Sequence, residues 1–139
     1  MSKTFKLQIV APDRPALSAE PTTVVLPGEE GEFGVQAGHM ALLASLRPGT
    51  LRVLKEDGKE LYYVAGGFAE VDGDSLTVLA EEYENAGEID GTAAREDRDR
   101  ALRMLSEKKE GTDLKAQAHA LARAQARLKA LEESVHLGK

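Results

Sequence analysis

The stretch LPGEEGEFGVQAGHMALL, Leu26 to Leu43, gathers four glycines, three glutamates and a histidine. From such residues phosphate cradles and metal sites are built. A phosphate loop needs free backbone N–H groups and no carboxylate beside them. Gly28, Gly31, Gly34 and Gly38 match neither G-x-G-x-x-G nor the P-loop spacing, and Glu29, Glu30 and Glu32 would repel phosphate. A metal site needs converging ligands, yet His39 has no neighbouring histidine and His119 and His136 form no H-E-x-x-H pair. No serine sits in a nucleophile elbow, and no two acids have a setting for general acid–base work. The absence of cysteine removes thiolate nucleophiles, disulfides and cysteine-based zinc sites. The reading is therefore no catalytic site and no metal site. A sharply turned acidic loop leading into an apolar strand suits a polar protein contact instead.

The elements around this stretch fall into two halves with different periods. Up to about residue 83, FKLQIV, TLRVL and parts of ELYYV and SLTVL alternate apolar and polar residues as half-buried strands do. Asp57-Gly58 and Asp72-Gly73 supply hairpin turns between them, and Gly66-Gly67 marks a bulge or a close backbone approach. Short strands at this spacing predict an antiparallel sandwich or barrel. From residue 92 the period becomes helical: Ala94, Arg98, Ala101, Leu102 and Leu105 share one side, with Thr92 as the expected N-cap. Gly111 breaks this helix, and Thr112 or Asp113 caps a second one. Leu114, Leu121, Leu128 and Val135 recur there at intervals of seven, a thin seam padded by alanine. The expected organisation is a sandwich over 1–86, a hinge over 87–91 and a two-helix hairpin over 92–139. Alanine-rich helices gain little from burial, so the hairpin is expected to be mobile.

Charge follows the same division. Residues 1–91 carry seven basic against sixteen acidic groups, net −9, while residues 92–139 carry eleven against eight, net +3. Nucleic acid is a poor partner for the acidic half. No run approaches the roughly 18 apolar residues of a membrane span, and MSKTFKLQIV lacks a signal-peptide apolar region. The expectation is a soluble, cytoplasmic chain with no direct membrane insertion.

LPGEEGEFGVQAGHMALLASLRPGTLRV, followed by YYVAGGFAEVDGDSLTVLAEE, resembles the epsilon subunit of bacterial F-type ATP synthases. That family reads G-E-x-G-x-x-P-G-H-A-P-L-x-x-x-x-x-P-G and then a G-G-F-x-E-V strand pair ending in T-V-L-A. The similarity covers essentially the whole chain. It implies a ten-stranded β-sandwich followed by an antiparallel helical hairpin. It also implies a non-catalytic central-stalk subunit that binds the gamma subunit and the c-subunit ring at the cytoplasmic face of the bacterial inner membrane. By position, Glu32 and His39 fall where the family meets the c-ring and the foot of gamma. Ala37 and Ala41 replace the family's prolines there, which implies a less rigid loop.

The resemblance also implies a hairpin with two arrangements, one folded on the sandwich and one extended into the alpha/beta catalytic head to inhibit ATP hydrolysis. Arg98, Arg100, Arg103, Lys115, Arg123, Arg127 and Lys129 would supply the cations that meet acidic segments of the beta subunits. No cofactor is required, but some relatives bind regulatory ATP through an I/L-D-x-x-R-A motif. Ile89, Asp90 and Ala94 keep that motif while Ala93 replaces its arginine; Glu84, Arg100, Arg123 and Arg127 match the supporting positions. Losing one charge-assisted contact costs about 1.5–3 kcal/mol, hence one to two orders of magnitude in affinity. Two rival readings remain: a stand-alone nucleotide-sensing module, and a small sandwich enzyme using His39.

Overall fold

The computed structural model describes residues 3–137. Strands come first: β1 (Lys6–Ala11), β2 (Arg14–Ala19), β3 (Thr23–Gly28), β4 (Gly31–Gln36), β5 (Leu42–Ser45), β6 (Gly49–Lys55), β7 (Gly58–Ala65), β8 (Phe68–Asp72), β9 (Ser75–Leu79) and β10 (Glu82–Asn85). A single 3-10 turn, Ala86–Glu88, leads to helices α1 (Gly91–Glu107) and α2 (Leu114–Leu137). The strands form two five-stranded sheets, β2-β1-β9-β8-β5 and β10-β7-β6-β3-β4. This is the expected sandwich and helical hairpin. One pairing departs from the antiparallel pattern, since β1 and β9 run parallel.

Alternation along each strand explains the core. Leu7 and Ile9 of β1, Val24 and Leu26 of β3, Leu51 and Val53 of β6 and Leu76 and Val78 of β9 all turn inward and are fully or nearly fully buried. Their outward neighbours Lys6, Gln8, Val25 and Thr77 are not buried. Strand β7 is different. Tyr62 and Val64 enter the sandwich core, while Leu61, Tyr63 and Ala65 on its other face enter a second cluster with Ala86, Ile89, Ala126 and Ala130. Burial on both faces accounts for the unbroken apolar run LYYVA, which is only partly alternating.

Several local expectations move by a residue or two. The two-residue hairpin loops are Glu56-Asp57 and Gly73-Asp74, because Lys55 pairs with Gly58 and Asp72 with Ser75. Asp90, not Thr92, caps α1: its side chain accepts from the Ala93 N–H at 3.1 Å. Asp113 caps α2 by accepting from the Ala116 N–H at 3.0 Å. The leucine heptads are not the deepest seam of α2. Leu114 and Val135 are exposed, and the buried positions are Ala124, Ala126 and Ala130. Small side chains let the helix axis lie close to the sheet, so the alanines meet the wall and the leucines flank it. Residues 1–2 and 138–139 of the expected domains lie outside the described residues.

The crossing from β7 to β8 changes sheets through Gly66-Gly67, with φ of +66° and +92°. A Cβ on Gly67 would lie 1.7 Å from the Leu79 carbonyl oxygen, so the close approach read from the sequence is real. Gly67→Ala combines a left-handed backbone with a backbone clash and is expected to cost about 3 kcal/mol or more. Urea unfolding should show the midpoint falling sharply, and a midpoint near the native value would mean that the crossing relaxes freely.

Candidate functional site

Two regions gather the residues singled out in the sequence. The first is the edge formed by β4 and β5. The Leu26–Leu43 stretch is mostly strand, not one loop: it runs through the β3–β4 hairpin, along β4 and across a short connection into β5. The β3–β4 turn is pinned beside β5, since the Glu29 N–H donates to the Ser45 carbonyl at 3.0 Å and Gly28 bridges Leu46. A cleft there is lined by Glu29, Glu30, Glu32, Leu42 and Leu43. Glu32 lies at one end of β4 and His39 beyond the other. The four residues from Glu32 to Gln36 span about 13 Å of strand, and the His39 N–H bonds the Gln36 carbonyl at 3.2 Å.

Next to His39, Met40 is 82% exposed and Leu43 68% exposed. Phe68 and Leu79, paired on β8 and β9, are each half exposed. Large apolar side chains set among carboxylates in this way mark a surface built for contact. His39 itself is exposed, with Nδ1 2.7 Å from the Met40 carbonyl oxygen. Among the described residues no group of three His, Asp or Glu side chains is placed to hold a metal ion.

The second region is a cleft of roughly 600 Å³ between the sandwich and both helices. Glu84, Arg100, Arg123 and Arg127 line it, so four of the seven nucleotide-site candidates come together across 43 residues of sequence. The other three have different surroundings. Asp90 caps α1, Ile89 is buried in the second cluster and Ala94 is buried at the helix interface. The cleft adds Asp13, Arg14, Tyr63, Glu82 and Asp97, which the sequence gave no reason to select.

Its charges are largely paired. Arg127 donates to both Glu84 oxygens, at 3.1 and 3.4 Å, and lies 4.0 Å from Asp97; Arg100 bonds Asp97 at 3.1 Å. Tyr63 donates to Glu82, and burial with this bond raises its phenol well above the ordinary range. Arg123 has no carboxylate within ion-pair distance among the described residues. Of the remaining helix cations, Arg98 pairs with its neighbour Asp99 at 3.0 Å. Arg103, Lys115 and Lys129 are exposed.

One ion-pair group links the two regions. Arg52, on the outer face of β6, donates from Nη1 to Glu32 at 2.7 Å, and from Nε and Nη2 to Glu133 of α2 at 2.7 and 2.9 Å. Reading the sequence missed Arg52 and Glu133. An arginine in a strand is unremarkable, and nothing local announces a partner 81 residues away.

The family model for the ATP synthase delta/epsilon chain β-sandwich domain matches residues 4–86. A protein of Syntrophobacter fumaroxidans named ATP synthase epsilon chain is 42% identical over 134 residues, covering 96% of this chain and all of that one. The chain belongs to the ATP synthase epsilon-chain family. A second member, from Nitratidesulfovibrio vulgaris, is 44% identical and covers 93% of this chain and 96% of its own length. The fold is also similar to a chain in the Euglena gracilis mitochondrial ATP synthase OSCP/F1/c-ring structure. That likeness has a TM-score of 0.80 at 24% identity, over 98% of this chain and 84% of that one. A chain of the Tetrahymena thermophila ATP synthase central stalk and c-ring gives a TM-score of 0.58 at 14% identity, over 96% and 98% of the two chains. No described helix is long and apolar enough to cross a membrane.

Docking of α2 should depend on acid through Glu133. The hydrogen bonds from Arg52 hold its carboxyl below the ordinary glutamate range, helped by the charges of Arg52, Lys59 and Lys129 and opposed by burial. A depressed folded value means that the stabilisation is full above the unfolded value, about 4.3, and is lost as pH falls through the folded one. The chain has no cysteine, so two can be introduced to carry a fluorescent donor and acceptor, one on β8 and one on α2. Energy transfer should drop as pH falls below 4, and Glu133→Gln should start lower and flatten that limb.

Proposed function

We propose that the chain is a rotor subunit of an F-type ATP synthase that couples the gamma subunit to the ring of c subunits. The observation that carries this reading is the contact edge: Glu32 and the acidic β3–β4 turn beside the exposed Met40, Leu42 and Leu43, on a chain of the epsilon family. Apolar anchors inside a charged rim fit a protein partner that stays bound while torque passes through it. The role is non-catalytic. The subunit is peripheral, held at the cytoplasmic face of the bacterial inner membrane by its partners. The only side-chain hydrogen bond of the His39 ring among the described residues is to the Met40 carbonyl oxygen, which gives the rival enzyme reading no support.

The hairpin is the regulatory part of the proposal. Its contact with the sandwich rests on Ala126, Ala130 and the partly buried Leu131 plus the Arg52–Glu133 and Arg127–Glu84 ion pairs, a small contact that can exchange for another. Released, it carries Arg98, Arg100, Arg103, Lys115, Arg123, Arg127 and Lys129 toward acidic segments of the beta subunits and slows hydrolysis. ATP hydrolysis by a catalytic head containing gamma should be slowed by the full chain and not by a chain ending at Gly91, although both bind. Binding without inhibition by either would remove the regulatory half and leave the coupling half. Failure of both to bind would overturn the rotor reading.

Regulatory ATP fits the interhelical cleft as a second part of the same proposal. Its size is within the range of small-molecule sites, and Arg100, Arg123 and Arg127 supply cations. Ala93 withholds one charge, so affinity is reduced. Calorimetric titration with ATP should show weak saturable binding that Arg123→Gln lowers about tenfold or more, as expected for one charge-assisted contact. Equal binding by the variant would move the nucleotide out of this cleft.

A further inference from the structure

Arg52 brings together two carboxylates that otherwise do not meet, one on the proposed contact edge and one on the hairpin. Glu133 takes the fork of the guanidinium through two bonds, at 2.7 and 2.9 Å, while Glu32 takes the remaining Nη1 at 2.7 Å through a single oxygen. The group carries two negative charges on one positive charge. Arg52 and Glu133 are mostly shielded, whereas the Glu32 side chain is 49% exposed, so its free side is open to a partner.

We propose that Arg52 couples the edge contact at Glu32 to the docking of α2, so that a cationic group of a protein partner seated on Glu32 tightens the hairpin against the sandwich. The sign follows from the geometry. Glu133 already holds the guanidinium by two bonds, so Glu32 is not needed to orient it. What Glu32 adds is a second carboxylate that repels Glu133 and draws on the same cation. Neutralising Glu32 removes that opposition. Linkage then requires the converse: a docked hairpin raises the affinity of Glu32 for the cation by the same factor. Lys59 and Lys129, the other cations acting on Glu133, act equally in both states of Glu32 and leave the coupling in place.

The inference rests on the proposed contact edge for its partner, but the coupling itself belongs to the isolated chain and is tested there. Failure of this test would leave the hydrolysis experiment above untouched. Hydrogen exchange of α2 amides between Ala120 and Ala130 is measured for the native full chain, Glu32→Gln, Glu133→Gln, Arg52→Gln and the doubles Glu32→Gln/Glu133→Gln and Glu32→Gln/Arg52→Gln. Amides of β7 serve as the internal reference. Arg52→Gln and Glu133→Gln should speed α2 exchange about tenfold, the scale of a charge-assisted bond, and Glu32→Gln alone should slow it about threefold, the scale of a half-exposed ion pair. Added to Glu133→Gln, Glu32→Gln should change nothing; added to Arg52→Gln, it should still slow exchange, because the two carboxylates repel without the guanidinium between them. Faster exchange in Glu32→Gln, or the same slowing in the Glu133→Gln background, overturns the proposal. So does an equal shift of the β7 amides, because global stability would then be what had changed.

Discussion

The constraint on which the molecule depends is the two-sided burial of β7. This strand belongs to the sandwich through Tyr62 and Val64, and to the helical layer through Leu61, Tyr63 and Ala65. A strand with a solvated outer face would carry polar residues there. An apolar outer face gains from a cover, while the primary core on the inner face does not depend on one. The 3-10 turn and α2 provide it, bringing Ala86, Ile89, Ala126 and Ala130 onto the strand. The cover is therefore continuous with the fold and yet separable from it, since the primary core lies wholly on the other side of the sheet.

Separability depends on how the cover is held. Alanine methyls remove little apolar surface from water, roughly 0.8 kcal/mol per methyl-sized group at best. The directional part of the contact is ionic: Arg52 with Glu133 at one end of α2, and Arg127 with Glu84 nearer its middle. Ion pairs that are only partly shielded contribute modestly and can be re-partnered. An apolar seam of leucines would have fixed the hairpin permanently. Of the heptad positions, Leu121 and Leu128 are half-buried, while Leu114 and Val135 at the ends are exposed and stay available to another surface.

The sandwich was legible because period-two alternation and turn glycines are local properties of the chain. Gly67 could be recognised as a close approach before its neighbour Leu79 was known, since only a glycine pair in a strand context asks for one. Thr92 and Asp90 were both open as residues at the entry to α1, since threonine and aspartate are both good N-caps; the structure gives the cap to Asp90. The cleft was half legible. Glu84, Arg100, Arg123 and Arg127 came from family positions, whereas Asp13, Arg14 and Asp97 enter it only because the hairpin folds back. Arg52 was invisible for the same reason: its two partners stand 20 and 81 residues away, on opposite sides of it in sequence.

The pairing inside the cleft bears on how a ligand there would act. A phosphate that took Arg127 from Glu84 would exchange one docking contact for another and leave the hairpin no firmer. Arg123 offers a different route, because it meets no carboxylate among the described residues and an anion can bind it without breaking a pair. It shares α2 with Arg127 one turn away, on the face turned to the sandwich. An anion held by Arg123 and touching the sandwich wall therefore adds a bridge between the layers while the Arg127–Glu84 bridge persists. Ligand binding and docking then reinforce each other, and the same helix that receives the ligand in the middle is held at its far end by Arg52. On the proposed readings, a ligand at the cleft and a partner at the contact edge would bear on a single equilibrium, the seating of α2 on β7.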